Sequence, residues 1–490
     1  MNKHQTYGFG GELMAQQYDA LVIGAGHNGL TCACYLAKVG LKVLVLEGYQ
    51  AIGGMTLTEE LTLPGFKSDV HASGYQLANL SPVPTELELA KHGLELIEPD
   101  LVYAHAFPDG TGITVSRDLE RTIASIRRYS KQDAETWRSL VGRYRAQRDQ
   151  IIASLFTPPP SFAAEAAVLE RTPSGMDRYR FSLQSMRSWA NELFEAEEIK
   201  CLFGAFALFV GHAPDDAGGA EIAWLFATVL QCEGNNLVKG GMQHLSHALA
   251  AYLKSQGGEI KVNSRVEQIL VRAGRATGVR LSTGEEIIAR HLVASSVDPA
   301  QLVLQLLGTK VVGAEIASKM RRYEWGDSIC VIYAALDGPV AYKAGAEASA
   351  AVHVHLTPPS LDSLARACDE CRVGKLPATP LVVSWNDSMI DSSRTPVGKH
   401  LKKFVVLGVP YEIKGDATGR ITGWTWDEVK EQYADYLIDM ITANYLPDLK
   451  AKLLKRVIYS PLDLERKLSS AVRGTLNHGA MLPYQSGSLR

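Results

Sequence analysis

One short run near the amino end of this 490-residue sequence constrains the fold more than any other. YDALVIG, from Tyr18 to Gly24, is an unbroken apolar stretch ending in glycine, the pattern of a parallel strand buried on both faces. In GLTCACYLAKVG that follows, Leu30, Ala33, Cys34, Ala37 and Lys38 recur at helical spacing and Gly40 supplies the stop. LKVLVLE then reads as a second buried strand. Strand, helix and strand within about 30 residues make one βαβ unit with a right-handed crossover. Cys32 and Cys34, inside its helix, are expected in the core, where packing needs small side chains.

The corner between the first strand and the helix is Gly24-Ala25-Gly26-His27-Asn28-Gly29. Gly24 permits a tight turn, Gly26 removes a side chain that would block a pyrophosphate, and Gly29 lets helix and strand pack closely. Amides at the helix start, around His27 and Asn28, then face the phosphates, and the helix dipole favours negative charge there. Glu47 lies 23 residues after Gly24, at the end of the second strand, placed to accept hydrogen bonds from a ribose diol. The ordered set of strand, glycines, helix, strand and acid predicts a dinucleotide site rather than an ordinary glycine turn. Gly53-Gly54, just beyond the acid, suggests close backbone approach to the far side of the same ligand, as when a first βαβ unit holds FAD.

The rest of the chain is that of a globular protein. It is 46% apolar and 21% charged, with 50 Lys+Arg against 53 Asp+Glu, which excludes disordered, collagen-like and polytopic membrane chains. The net charge of −3 gives no global reason to bind nucleic acid, and Arg127-Arg128 and Arg321-Arg322 read as short charged faces. Seven cysteines, an odd and sparse set, fit a reducing compartment. A cytoplasmic location is expected, with peripheral membrane contact left open. The first 17 residues lack the apolar run of a secretory signal and read as a loose tail. CLFGAFALFVG, Cys201 to Gly211, is shorter than the roughly 18 residues of a membrane span and reads as a buried helix, a greasy substrate wall or a monotopic contact.

Further along, LELIEPDLVYAHAFPDGTGITVSRD holds two extended runs joined at Pro108-Asp109-Gly110-Thr111, which predicts a hairpin. Asp118 to about Phe156 is helical and charged, Thr157-Pro158-Pro159-Pro160-Ser161 breaks it, and more helices are expected over 161–232. GGMQHLSHALAAYLKSQGG reads as a helix closed by Gly257-Gly258. EIKVNSRVEQILV and ATGVRLSTGEEIIARHLVASS read as a strand, then a hairpin turning at Ser282-Thr283-Gly284-Glu285, then another strand. An antiparallel layer over about 320–415 and a helix from Trp426 to about Tyr445 complete an α/β fold with discontinuous domains.

DALVIGAGHNGLTCACYLAKVGLKVLVLE followed by IGG resembles the amino end of flavoproteins of the phytoene desaturase and amine oxidase superfamily. LPGFKSDVHASG, AFPDGTGITVSRD, VKGGMQHLSHALA with SRVEQILV, SWNDSMIDSSRTPVGKH and SPLDLERKL each resemble segments of one branch. That branch holds carotene ketolases, retinol saturase relatives and pyridine nucleotide-disulfide oxidoreductase domain-containing protein 2. The resemblance implies an FAD-binding Rossmann-like domain of the glutathione reductase type, an antiparallel-sheet substrate domain and a helical region. The FAD-binding domain is expected over 1–90 and 235–300, the substrate domain over 91–234 and 301–490. It further implies that Gly24, Gly26 and Gly29 hold the FAD pyrophosphate and Glu47 the adenosine ribose, while Gly53 and Gly54 let the backbone pass along the cofactor. Val266 matches a position whose main chain contacts the adenine, though it also reads as a plain core valine. Two departures stand out. Gly48-Tyr49 occupies the place where the family carries a basic residue after the acid, so one contact is missing or supplied elsewhere. The second glycine-rich stretch that closes over the flavin in relatives is expected to be absent, since the sequence stops at Arg490.

His71 lies in a segment resembling the loop near the isoalloxazine, where it would polarise the flavin or move a proton; the alternative is a hydrogen-bonded loop histidine. Cys368 and Cys371 form a CxxC pair without a second pair or a histidine partner, so no metal site is expected, and surface cysteines in an inserted loop are the default. Trp224, Phe226, Phe203, Phe206 and Phe209 read as helical core or as lining for an apolar ligand. The implied function is FAD-dependent removal of a hydride from an apolar, isoprenoid-like small molecule, with oxygen or a quinone as electron acceptor. An amine or alcohol oxidase on the same scaffold, or a flavin-fold protein acting through interaction, are the alternatives.

Overall fold

The computed structural model describes residues 17–485, so all but the last residue of the segment read as a loose tail lies outside the described residues, as does the carboxyl terminus at Arg490. The chain divides into two compact units, Met1–Ile52 with Leu249–Arg322, and Gly53–Ala248 with Tyr323–Arg490.

In the first unit, strand Gln17–Ile23, helix His27–Lys38 and strand Val43–Leu46 realise the βαβ pattern. Strand Gln17–Ile23 runs parallel to Val43–Leu46 on one side and to Glu286–Ser295 on the other. The six-stranded sheet continues through Arg275–Leu281 and Val266–Arg272 at one edge and Glu259–Lys261 at the other. EIKVNSRVEQILV thus supplies two strands from opposite edges rather than one. The helix buries Leu30, Ala33, Cys34 and Ala37, and the Cys34 thiol donates to the Leu249 carbonyl at 3.2 Å. Cys32 is exposed, contrary to expectation. Two residues are about 200° apart on a helix, so Cys32 and Cys34 cannot share its inward face.

The second unit is built on a seven-stranded sheet in the order Leu453–Tyr459, Ser328–Leu336, His400–Val409, Val382–Trp385, His353–Leu356, Leu101–Ala106, Gly112–Ser116. Its pairings are antiparallel except that between His353–Leu356 and Leu101–Ala106. The hairpin at Pro108–Thr111 forms between the last two strands, and the helix Trp426–Asn444 packs its Val429, Tyr433, Leu437 and Ile441 into the core. Helices Lys131–Leu155, Met186–Leu193, Glu197–Phe209 and Gly219–Glu233 enclose an aromatic cluster. CLFGAFALFVG is therefore core helix over most of its length. Among the described residues no helix is long and apolar enough to cross a membrane. Cys368 and Cys371 are buried on the inward face of helix Leu361–Arg372, not on a surface loop, and burial pushes the Cys368 thiol up to about 12.

Phe203 is fully buried, with its ring 4.9 Å from Trp189, 5.0 Å from Phe194 and 5.5 Å from Trp137. Phe203→Ala should cost about 3–5 kcal/mol in denaturant unfolding, whereas the half-exposed Phe162 replaced by Ala should change stability by about 0.5 kcal/mol or less.

Candidate functional site

In the first unit the strand stops at Gly24, which turns with φ +97°, and the helix begins at His27 with Gly26 as its extended N-cap. No side chain caps that helix start and no acidic residue occupies its first turn, which suits an anionic ligand. Two glycines are required by contact. A Cβ on Gly29 would overlap the Gly24 carbonyl oxygen, and a Cβ on Gly24 would stand 2.6 Å from Ser296 Oγ. Ser296, a residue the sequence did not single out, follows strand Glu286–Ser295 and donates its hydroxyl to the Ile23 carbonyl at 3.1 Å.

Glu47 performs a task that its position in the motif did not reveal. Its Oε2 accepts from the Ala25 amide and its Oε1 from the Tyr49 amide, both at 2.8 Å. The carboxylate therefore ties the glycine corner to the turn beyond the second strand. Each oxygen keeps a further acceptor site for a ribose hydroxyl. The stretch leading to Val266 runs beside it, with the Ser264 amide on the Glu47 carbonyl at 2.7 Å and the Asn263 amide on the Tyr49 carbonyl at 3.0 Å. Val266 itself is buried in the core of this unit. Where Gly48 leaves the acid without a basic neighbour in sequence, Arg265 lies alongside, its Cβ 3.5 Å from the place a Gly48 Cβ would take. The structure thus brings together Gly24, Gly26, His27, Asn28, Gly29, Glu47 and the segment of Val266. The bare corner, the helix start and the acid are the donor and acceptor set that a diphosphate and a ribose need. Gly53 and Gly54 belong to the second unit, where they turn with φ +131° and +55° into a short 3₁₀ helix.

In the second unit three of the sequence segments converge on one buried network. Asp69 of FKSDVHAS accepts from Thr58 Oγ1 at 2.6 Å and from the Met242 amide of VKGGM at 2.9 Å. Arg394 of DSSRTP faces Asp69 at 3.0 Å and Asp387 at 3.8 Å, and its Nε donates to the Lys67 carbonyl at 2.9 Å. Asp391 accepts from the Gly240 amide at 2.7 Å. Lys402 and Lys403 point to opposite faces of their strand, as successive strand residues must. Lys403 donates to Ser73 Oγ at 2.7 Å, to the Asp69 carbonyl at 3.2 Å and to the His71 carbonyl, clamping the loop from behind. Lys402 donates to Tyr342 Oη at 2.8 Å and to Asn386 Oδ1.

Burial shifts Lys402, Lys403 and Asp387 toward their neutral forms. It holds the Lys402 ammonium down to about 7 and that of Lys403 to about 8, and it raises the Asp387 carboxyl. His71 falls to about 3, from burial first and then the nearby Lys403, Lys467 and His478. At neutral pH His71 is an uncharged imidazole with a buried Nε2 that finds no hydrogen-bond partner. It can polarise a neighbour through a hydrogen bond but carries no proton to release as an acid.

The sequence profile of the flavin-containing amine oxidoreductases matches residues 29–456. One of the limonene dehydrogenase subunits of Castellaniella defragrans is 28% identical, over 97% of this chain and 87% of its own. Pyridine nucleotide-disulfide oxidoreductase domain-containing protein 2 of Rattus norvegicus is 28% identical, over 95% of this chain and 85% of its own. Phytoene desaturase (neurosporene-forming) of Rhodobacter capsulatus is 25% identical, over 90% and 81%. Among solved structures an oxidoreductase from Methanosarcina mazei shares the fold with a TM-score of 0.58 at 16% identity, covering 91% of this chain and 88% of that one.

Lys402 gives the network a pH signature. Its folded value near 7 lies below the ordinary 10.5, so between those limits the unfolded chain binds a proton that the folded chain does not. Stability contributed by this site therefore rises with pH across that window. Against Lys402→Met, the native chain should gain about 1 kcal/mol per pH unit from pH 7 to 9 in urea unfolding.

Proposed function

This chain belongs to the flavin-containing amine oxidoreductase family, and on that premise we propose that it dehydrogenates an apolar, isoprenoid-like small molecule. It is a flavoprotein oxidoreductase whose cofactor is FAD. When bound, FAD would supply the acceptor for a hydride, with oxygen or a quinone as the final electron acceptor. The protein's residues position that chemistry. Gly24, Gly26 and Gly29 leave the corner bare for the diphosphate, the amides around His27 and Asn28 meet its charge, and Glu47 holds the ribose while bracing the corner. Arg265 supplies the positive charge that Gly48 lacks. Val266 lends its main chain to the adenine, and Gly53 and Gly54 let the backbone follow the cofactor. This binding role is assigned to residues 1–90 and 235–300, and substrate binding to the remainder.

The single observation that carries the substrate reading is the aromatic cluster of the second unit. Phe206 and Phe226 are buried there, with Phe209 partly open beside them. An apolar body suits that wall. Relatives named for limonene and phytoene support the same chemistry. His71 acts as a neutral hydrogen-bonding group, and Lys403 fixes its loop.

Gly26 has φ −70°, a conformation open to any residue, so Gly26→Leu tests room for a ligand rather than backbone strain. The variant should fold yet retain less than about a tenth of the native flavin, read from the flavin released on denaturation; full retention would refute the diphosphate assignment. Anaerobic mixing with an isoprenoid hydrocarbon should bleach the bound flavin, and bleaching by a primary amine alone would make the chain an amine oxidase instead.

A further inference from the structure

Strand His353–Leu356 carries an alternation that an ordinary core strand lacks. Val354 and Leu356 enter the apolar core on one face, while His353 and His355 occupy the other and are equally buried. His355 pairs across the sheet with His105, which is also fully buried, and their rings lie 4.5 Å apart. Phe206 packs 5.1 Å from His355, Trp385 packs 5.0 Å from His353, and the partly buried Phe209 lies 6.2 Å from His355 and 6.5 Å from His353. Burial holds all three imidazoles below their ordinary range, so each is neutral and has one donor and one acceptor nitrogen.

One placement of hydrogens satisfies every contact among them. In it Thr357 gives its hydroxyl hydrogen to the His355 carbonyl at 3.3 Å and accepts from His105 Nδ1 at 3.0 Å. The bare Nε2 of His105 then accepts from His355 Nδ1 at 3.2 Å, which leaves His355 Nε2 as an acceptor. On the other side the Asn235 amide nitrogen donates to the Val102 carbonyl at 3.1 Å and to His353 Nδ1 at 2.9 Å, so His353 Nε2 carries the hydrogen. Both Nε2 atoms are buried and find no hydrogen-bond partner. A buried donor and a buried acceptor left unmade on neighbouring rings call for a group that can serve both.

We propose that His353 and His355 bind a hydroxyl group, and that the apolar ligand of the second unit is an alcohol. The hydroxyl donates to His355 Nε2 and accepts from His353 Nε2–H, while its hydrocarbon body lies against the phenylalanine wall. A carboxylate would face the His355 lone pair and an ammonium the His353 N–H, so each charged group leaves one partner opposed. The inference rests on the reading that the second unit receives the apolar substrate, and it goes further by naming the polar end.

Calorimetric titration of the flavin-loaded protein with geraniol, myrcene and geranylamine compares an alcohol, a hydrocarbon and an amine on one ten-carbon skeleton. The alcohol should bind at least about tenfold tighter than either of the others. His353→Leu and His355→Leu should each erase that preference while leaving hydrocarbon affinity within about twofold. Equal binding of alcohol and hydrocarbon would mean that a trapped water alone satisfies the two nitrogens and would overturn the proposal. Tighter binding of the amine, no binding of any of the three, or an unchanged preference in folded variants would overturn it too. Should a variant fail to fold, the three-ligand comparison on the native protein decides alone. Flavin bleaching reports on the dehydrogenation and this titration on the hydroxyl site, so either can fail without the other.

Discussion

The approach of helix to strand at Gly29 is the constraint on which the nucleotide unit depends. The Gly24 carbonyl oxygen occupies the space that any side chain on Gly29 would need. Only with that space empty can the helix start directly behind the first strand, with its leading amides at the strand's carboxyl end. Glu47 makes the arrangement rigid, because it bonds amides on both sides, at Ala25 and Tyr49. The acid is thus part of the scaffold as well as of the proposed ribose site. A single carboxylate shapes the corner and, in the proposed function, also meets the ligand that enters it.

The second unit depends on a different constraint, the burial of charge. Asp69, Asp387, Arg394 and Lys403 are all almost completely removed from solvent. Isolating any one of them would be costly, and together they are tolerated because opposite charges and backbone carbonyls face each other. The result is that segments far apart in sequence, around Asp69, Gly240 and Asp391, are fixed to one another. The loop of His71 is held at its backbone by Lys403, so the imidazole is presented by a rigid support.

Much of the first unit was legible in sequence because its elements are local. A buried strand, a glycine corner, a helix and an acid lie within about 30 residues and each leaves its own pattern. The hairpins were legible for the same reason, through their turn residues. What stayed hidden depends on partners distant in the chain. Ser296 beside Gly24 and Arg265 beside Gly48 could not be paired without the sheet. Cys368 and Cys371 read as loop residues from the CxxC pattern alone, whereas with Leu361 and Leu364 they mark one buried helical face. His353 and His355 alternate with apolar residues as on a half-exposed strand, and only the helices packed over them show that the polar side is inside. Strand alternation tells which residues share a face, not whether that face is dry.

The most direct measurement of the central claim is calorimetric titration of the flavin-stripped protein with FAD, FMN and riboflavin. If the glycine corner grips a diphosphate and Glu47 an adenosine ribose, FAD should bind at least about a hundredfold tighter than FMN or riboflavin, a difference of about 2.7 kcal/mol. Equal affinity for riboflavin and FAD would place the anchoring elsewhere and contradict the account.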